Sequence, residues 1–196
     1  MILDKPLSVG HFGEKKQACV IYSVHVHPDG SRFATGGSDH RVRIWSMEPF
    51  RSPAAAVGED VKLLAGLSQH TGSVLCVRWS HGGRYLASAS DDTFLLIWEL
   101  LPAGSAAATT PFGSTETPNA ENWSRVCVLR GHVMDVLDCA WSPDDSMLVS
   151  CSIDNKVIVW RLPPTDGQQG LPPSSAATAK ILNPLQTLEQ HTSFVK

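Results

Sequence analysis

A histidine, a serine and an aspartate recur at fixed spacing in this chain, and together they are the residue types of a hydrolytic triad. One set is His70, Ser88 and Asp92; a second is His132, Ser150 and Asp154. In both, a tryptophan closes the set, Trp98 and Trp160, 28 positions after the histidine. A partial third set holds Thr35, Asp39 and Trp45, with Gln17 at the histidine offset. His11, displaced by an insertion, is the alternative for that role. An active site is rarely built in triplicate, each time with a tryptophan. The expected role is therefore structural, and no residue is assigned as catalytic. The indole and imidazole N–H groups can donate, and the hydroxyl and carboxylate can accept. A satisfied buried network of this kind fixes one packing arrangement.

The elements that must position these groups form a repeat. The three copies align without a gap from Ile21, Val74 and Val136 to Trp45, Trp98 and Trp160. Such self-similarity sets the architecture before any local reading does. In the second copy the β-rich runs are Val74–Trp79, Arg84–Ser90 and Phe94–Trp98, separated by Ser80-His81-Gly82-Gly83 and Asp91-Asp92. His27-Pro28-Asp29-Gly30 and Ser142-Pro143-Asp144-Asp145 are the equivalent turns. Asp, Pro and Gly supply the dihedrals and local hydrogen bonds that reverse a chain. Candidate fourth strands are Val61–Leu64, Val126–Leu129 and Leu185–Leu188.

The expected fold is all-β: an incomplete β-propeller of about three four-stranded blades plus the start of a fourth. The whole chain, 1–196, is expected to be the N-terminal part of one propeller, with blade cores at 20–45, 70–98 and 132–160. Residues 191–196 read as the opening of the next repeat. Two Pro/Ser/Ala/Thr-rich stretches, 99–125 and 161–180, read as loop insertions. Thr110-Pro111 and Thr117-Pro118 in the first are candidate phosphorylation sites, with plain loop composition favoured. Residues 1–12 are expected to hold a strand that completes a last blade and lacks its partner here. Propellers typically close with four to eight blades, so the sequence reads as a truncated product whose open edges invite association.

Composition excludes several function classes. The 196 residues are 42% hydrophobic and 18% charged, with net charge −3, so no overall basic field calls for nucleic acid. Direct sequence-specific nucleic-acid binding is not expected, and no apolar run is long enough to span a membrane. The five cysteines, Cys19, Cys76, Cys127, Cys139 and Cys151, are read as free thiols in a reducing compartment. None has zinc-ligand spacing, and no metal or cofactor is expected. His25 and His27 lie two apart and are read as part of a surface strand ending in a turn. Asn122-Trp123-Ser124 matches a glycosylation sequon, read as incidental without a signal peptide.

Gly131-His132, the Ser-x-x-x-Asp pairs and the closing tryptophans resemble the WD-repeat propellers. The name-giving Trp-Asp is absent, because Ser46, Glu99 and Arg161 follow the tryptophans. A finer resemblance is carried by Lys5-Pro6 with His11, HPDGSRFATGG (27–37), CVRWS with RYLAS (76–88), PFGS…ENW…VCVLRGH (111–132) and DVLDCAWSPDDSMLVSCSIDN (135–155). These stretches are similar to the Hir-type family of histone chaperones. Ser8, where that family tends to carry Trp, and the insertion near 12–18 depart from it. The resemblance implies a nuclear, non-enzymatic scaffold of a histone chaperone complex. It further implies replication-independent nucleosome assembly and transcriptional regulation. The implied partners are a ubinuclein-like subunit and, through the complex, histones. The WD-repeat subunit of chromatin assembly factor one shares the ENW…LRGH…DVxD pattern and is the alternative. A substrate-receptor propeller of a ubiquitin ligase is a further one, although no docking motif for a ligase is visible outside the blades.

Overall fold

Strand-forming runs broken by turn residues become antiparallel ladders. The computed structural model describes residues 9–12, 17–51, 61–102, 119–163 and 179–196. β1 (His11–Phe12) pairs antiparallel with β2 (Ala18–Cys19). Of the strand expected within 1–12, residues 1–8 lie outside the described residues, and His11 and Phe12 pair with Cys19 and Ala18.

The first sheet is β3 (Ile21–Val26), β4 (Arg32–Gly37), β5 (Val42–Ser46) and β6 (Leu63–Leu67), in that order. A single helical turn, α1 (Glu48–Arg51), follows β5. The second sheet holds β7 (Val74–Trp79), β8 (Tyr85–Ser90), β9 (Leu95–Leu100) and β10 (Trp123–Leu129). The third holds β11 (Val136–Trp141), β12 (Met147–Ser152), β13 (Val157–Arg161) and β15 (Gln186–Leu188). One short strand, β14 (Lys180–Leu182), lies between β13 and β15 in sequence but joins the second sheet, parallel to β10.

The middle sheet therefore has five strands, not the expected four. The loop insertions are also shorter than composition suggests. β9 runs to Leu100 and β10 starts at Trp123, both inside 99–125. Trp123 pairs with Leu100 and meets Trp79 edge-on at 5.3 Å, so apolar burial prolongs the ladder beyond the polar-looking stretch. At the second insertion, Arg161 ends β13 and Lys180 begins β14. A parallel edge strand is held by backbone hydrogen bonds and needs no hydrophobic pattern to announce it. The fourth strand of the first sheet lies at 63–67 rather than 61–64, because Ala65 and Leu67 are the residues buried there.

The strands β3, β7 and β11 lie side by side, β3 against β7 and β7 against β11. Each carries a β-bulge at the same repeat position: Ile21/Ser23, Val74/Cys76 and Val136/Asp138. A bulge increases local twist, and it recurs at the same place in all three sheets. Two cores fill the seams. Ile44, Trp79, Leu86 and Trp98 pack between the first and second sheets; Tyr85, Trp141, Leu148 and Trp160 pack between the second and third. Burying one such side chain contributes about 1.5–3 kcal/mol.

Candidate functional site

Each repeated set closes into one hydrogen-bonded chain. In the second sheet, His70 Nδ1 lies 2.8 Å from Asp92 Oδ2, His70 Nε2 2.8 Å from Ser88 Oγ, and Trp98 Nε1 donates to Ser88 Oγ at 2.8 Å. In the third, His132 reaches Asp154 at 2.9 Å and Ser150 at 2.8 Å, and Trp160 donates to Ser150 at 2.8 Å. In the first, the imidazole comes from His11, not Gln17. It reaches Asp39 at 2.7 Å and Thr35 at 2.8 Å, and Trp45 donates to Thr35 at 2.9 Å. A carboxylate only accepts, so Nδ1–H donates to it. The neutral ring then accepts at Nε2 from the hydroxyl, whose oxygen takes the indole N–H.

The fold supplies each member from a different element. The histidine precedes the innermost strand; Ser or Thr sits on the second strand, Asp in the following turn and Trp on the third strand. Glycine makes room for one imidazole and one indole. A side chain at Gly37 would collide with the His11 ring, and one at Gly131, beside His132, with the Trp160 ring. The aspartates also hold backbone. Asp92 accepts from Thr71 N and Phe94 N, and Asp154 from Val133 N and Lys156 N. Asp39 instead pairs with Arg43.

Burial alone would raise these carboxylates. The histidine hydrogen bond overrules it in each case, with backbone N–H donors at Asp92 and Asp154 and Arg43 at Asp39, and all three lie below the ordinary value. Burial also lowers His132 below its ordinary value, against the opposing pull of Asp154, and so favours the neutral ring.

Ser–His–Asp connected in this order is the geometry of a triad. The hydroxyls of Ser88 and Ser150 nevertheless lie on residues 0% and 1% exposed, and each is occupied by an indole N–H. A substrate carbonyl has no path to either oxygen. The arrangement can hold a blade together but presents no nucleophile.

A second polar system crosses the seams, and the sequence reading missed it. His25 lies on the largely exposed strand β3 and His27 at the turn that follows it, as expected, but both rings also reach across to the second sheet. His25 Nδ1 accepts from Trp79 N at 2.8 Å, and His27 Nε2 donates to Gly83 O at 2.8 Å, both across the first seam. From the other side, Asp145 accepts from His81 N and Gly82 N, each at 2.7 Å. The turn 80–83 is thus clasped by the turns of both neighbouring sheets. Arg78 spans all three inner strands, donating to Ser23 Oγ and pairing with Asp138 at 2.8 Å. The available signal was the alignment of the three turns, but spacing within a repeat does not say which repeat a side chain faces.

All five cysteines are unpaired; Cys76, Cys127 and Cys139 are buried. Among the described residues no group of three or more His, Cys, Asp or Glu is placed to hold a metal, and no helix is long and apolar enough to cross a membrane. Thr110 and Thr117 lie outside the described residues.

Twisted antiparallel sheets set side by side around their first strands, each locked by a His–Ser/Thr–Asp–Trp network, define a WD-repeat type of β-propeller blade array. A solved structure described as "Structure of U3-55K" is similar in fold, with a TM-score of 0.60 and 23% identity over 90% of this chain and 41% of that one. The family model described as CAF1B/HIR1 beta-propeller domain matches residues 17–170, and the chain belongs to that family. It is 51% identical over 162 residues to Protein HIR1 of Cryptococcus neoformans, covering 82% of this chain and 18% of that protein. It is 49% identical to Protein HIRA of Zea mays, over 83% of this chain and 16% of that protein. It is 42% identical to Protein HIRA of Xenopus laevis, over 82% and 16%. The chain thus spans under a fifth of the length of these curated relatives.

Proposed function

We propose that this chain acts as a non-enzymatic docking scaffold within a nuclear histone chaperone complex. That complex serves replication-independent nucleosome assembly and transcriptional regulation. The observation that carries the reading is the match of the CAF1B/HIR1 propeller model from 17 to 170, together with relatives named HIR1 and HIRA at 42–51% identity. The closed Ser–His–Asp sets favour a structural over a catalytic role. The partners in this reading are a ubinuclein-like subunit and, through the complex, histones. The four-residue networks (Thr35, Asp39 and Trp45 with His11; His70, Ser88, Asp92 and Trp98; His132, Ser150, Asp154 and Trp160) then serve to keep the docking surface in shape.

The test is recovery from nuclear extract on the immobilised chain, followed by mass spectrometry. Enrichment of a ubinuclein-like subunit and histones is the expected result. Enrichment of the other chromatin-assembly-factor subunits would transfer the chain to that complex. Ligase subunits, or hydrolysis of ester substrates by the purified chain, would overturn the reading.

A further inference from the structure

Two of the buried thiols face each other. Cys76 on β7 and Cys139 on β11 are 2% and 4% exposed, and their sulfurs lie 3.9 Å apart across the seam between the second and third sheets. The seam itself brings them together. Cys76 aligns with Ser23 of the first repeat, and Cys139 with Val77 of the second. At the first seam those counterparts also meet, Val77 N donating to Ser23 Oγ at 3.1 Å. The fold thus juxtaposes one pair of positions at each seam, and the second seam fills both with sulfur.

A thiol buried among apolar groups is inert. Cys76 is not so placed. Its S–H donates to Asp138 Oδ1 at 2.9 Å, and Asp138 pairs with Arg78 at 2.8 Å. The Asp138 side chain is 42% exposed and that of Arg78 31%, so one hydrogen bond separates the Cys76 sulfur from a group in contact with water. The carboxylate can take the proton, and the Arg78 guanidinium, whose field reaches Cys76, favours the thiolate that results. Cys139 differs. Contact with Cys76 and burial hold its thiol well above the ordinary value, so it stays protonated. One member of the pair is equipped to react first and the other to resolve the product.

We propose that Cys76 and Cys139 form an oxidisable dithiol, which a hydroperoxide converts to a disulfide joining the second and third sheets. The Cys76 sulfur attacks one peroxide oxygen. An S–O bond forms, the O–O bond breaks, and the Cys76 proton passes through Asp138 to the departing oxygen, which with hydrogen peroxide leaves as water. The Cys139 sulfur then attacks the sulfur of the Cys76 sulfenic acid. An S–S bond forms, the S–O bond breaks, and the Cys139 proton leaves with that oxygen as a second water. The two thiols give up two electrons, and the peroxide is reduced. The sulfurs close from 3.9 Å to about 2.05 Å. The dithiol is independent of the scaffold reading and stands or falls without it.

The experiment treats the 196-residue chain with hydrogen peroxide, blocks the remaining thiols with iodoacetamide in urea, and maps linked peptides by mass spectrometry without reduction. The expected product joins the Cys76 and Cys139 peptides with the loss of two hydrogens, and dithiothreitol reverses it. Cys139→Val installs the residue of the first seam. It should give no link, and dimedone should then trap Cys76 as its sulfenic acid. Cys76→Ser, likewise taken from the first seam, should leave Cys139 fully alkylated after peroxide. Recovery of both thiols alkylated in the unaltered chain would overturn the proposal. So would a link made instead through Cys151, whose thiol donates to Asp138 O at 3.7 Å. Equal yield of the Cys76–Cys139 link when peroxide is added to the urea-unfolded chain would overturn it too, since the pairing would then owe nothing to the seam.

Discussion

β3 and β7 open equivalent repeats and carry similar residues, Ile-Tyr-Ser-Val-His-Val against Val-Leu-Cys-Val-Arg-Trp. Yet Val24 is 59% exposed on β3, while Val77, its counterpart on β7, is 0% exposed. The difference is the neighbour. β7 packs against both β3 and β11, whereas among the described strands β3 packs chiefly against β7 on that side. On the middle sheet every residue of β8 is buried; on the first, Val20, Tyr22, Val24 and Val26 face outward. A strand in this fold is not amphipathic by itself. It gains a core only from the next sheet, as expected of stacked repeats.

This contrast can be broken most forcefully at the tryptophans. Trp98→Ala, in the seam between two sheets, should cost about 3–5 kcal/mol and abolish the cooperative melt. Trp45→Ala, whose packing partners are Phe33 and Val61, should fall at or below the low end of that range. Next come the aspartates. Asp92→Ala leaves the His70 imidazole and the Thr71 amide without their acceptor and should cost about 1–3 kcal/mol in thermal unfolding. Asp154→Ala should behave alike, and a null effect of both would remove the structural role of the networks.

Acid should act in two stages. His132 is depressed when folded, so its contribution is complete above the ordinary histidine value of 6.5 and is lost as pH falls toward the folded value. Asp39, Asp92 and Asp154 are depressed too, and their contribution is complete above 3.8 and is lost as pH falls through their folded values. Melting temperature against pH should therefore begin to fall below about 6.5 and steepen below about 4. His132→Gln should flatten the first stage only.

A gain is expected at Thr93. His40, Thr93 and Asn155 occupy the same turn position, five residues before each tryptophan, and all have positive φ, at 64°, 74° and 65°. Asparagine tolerates that region, and a β-branched residue does not. Thr93→Asn should raise stability by about 0.5–1 kcal/mol. The smallest effect belongs to the exposed strand: Val24→Ala should stay within about 0.5 kcal/mol, and a larger loss would mean that β3 is covered in solution.

The repeat, its strands and its histidine–hydroxyl–aspartate–tryptophan sets were legible because they depend on local spacing. His70 and Asp92 lie 22 residues apart within one repeat and meet by the strand geometry alone. His11 was less legible, since the insertion near 12–18 displaces it from the histidine offset of the repeat. The clasps from His25, His27 and Asp145 were hidden for a different reason: they join residues of different repeats, and the fan of the sheets decides their partners. β14 carries only Lys-Ile-Leu, of which Leu182 packs against the core, and three residues are too short a side-chain pattern to give warning of it.

The parallel strand β14 has a consequence for synthesis. The middle sheet recruits residues 180–182, which leave the ribosome only after β11, β12 and β13 have all been made. Emerging domains generally fold from the N-terminus as units. Here the second unit stays open at its outer edge until the third is almost complete, so the two must mature together. A ribosome pausing before residue 180 would hold β10 as an unsealed edge.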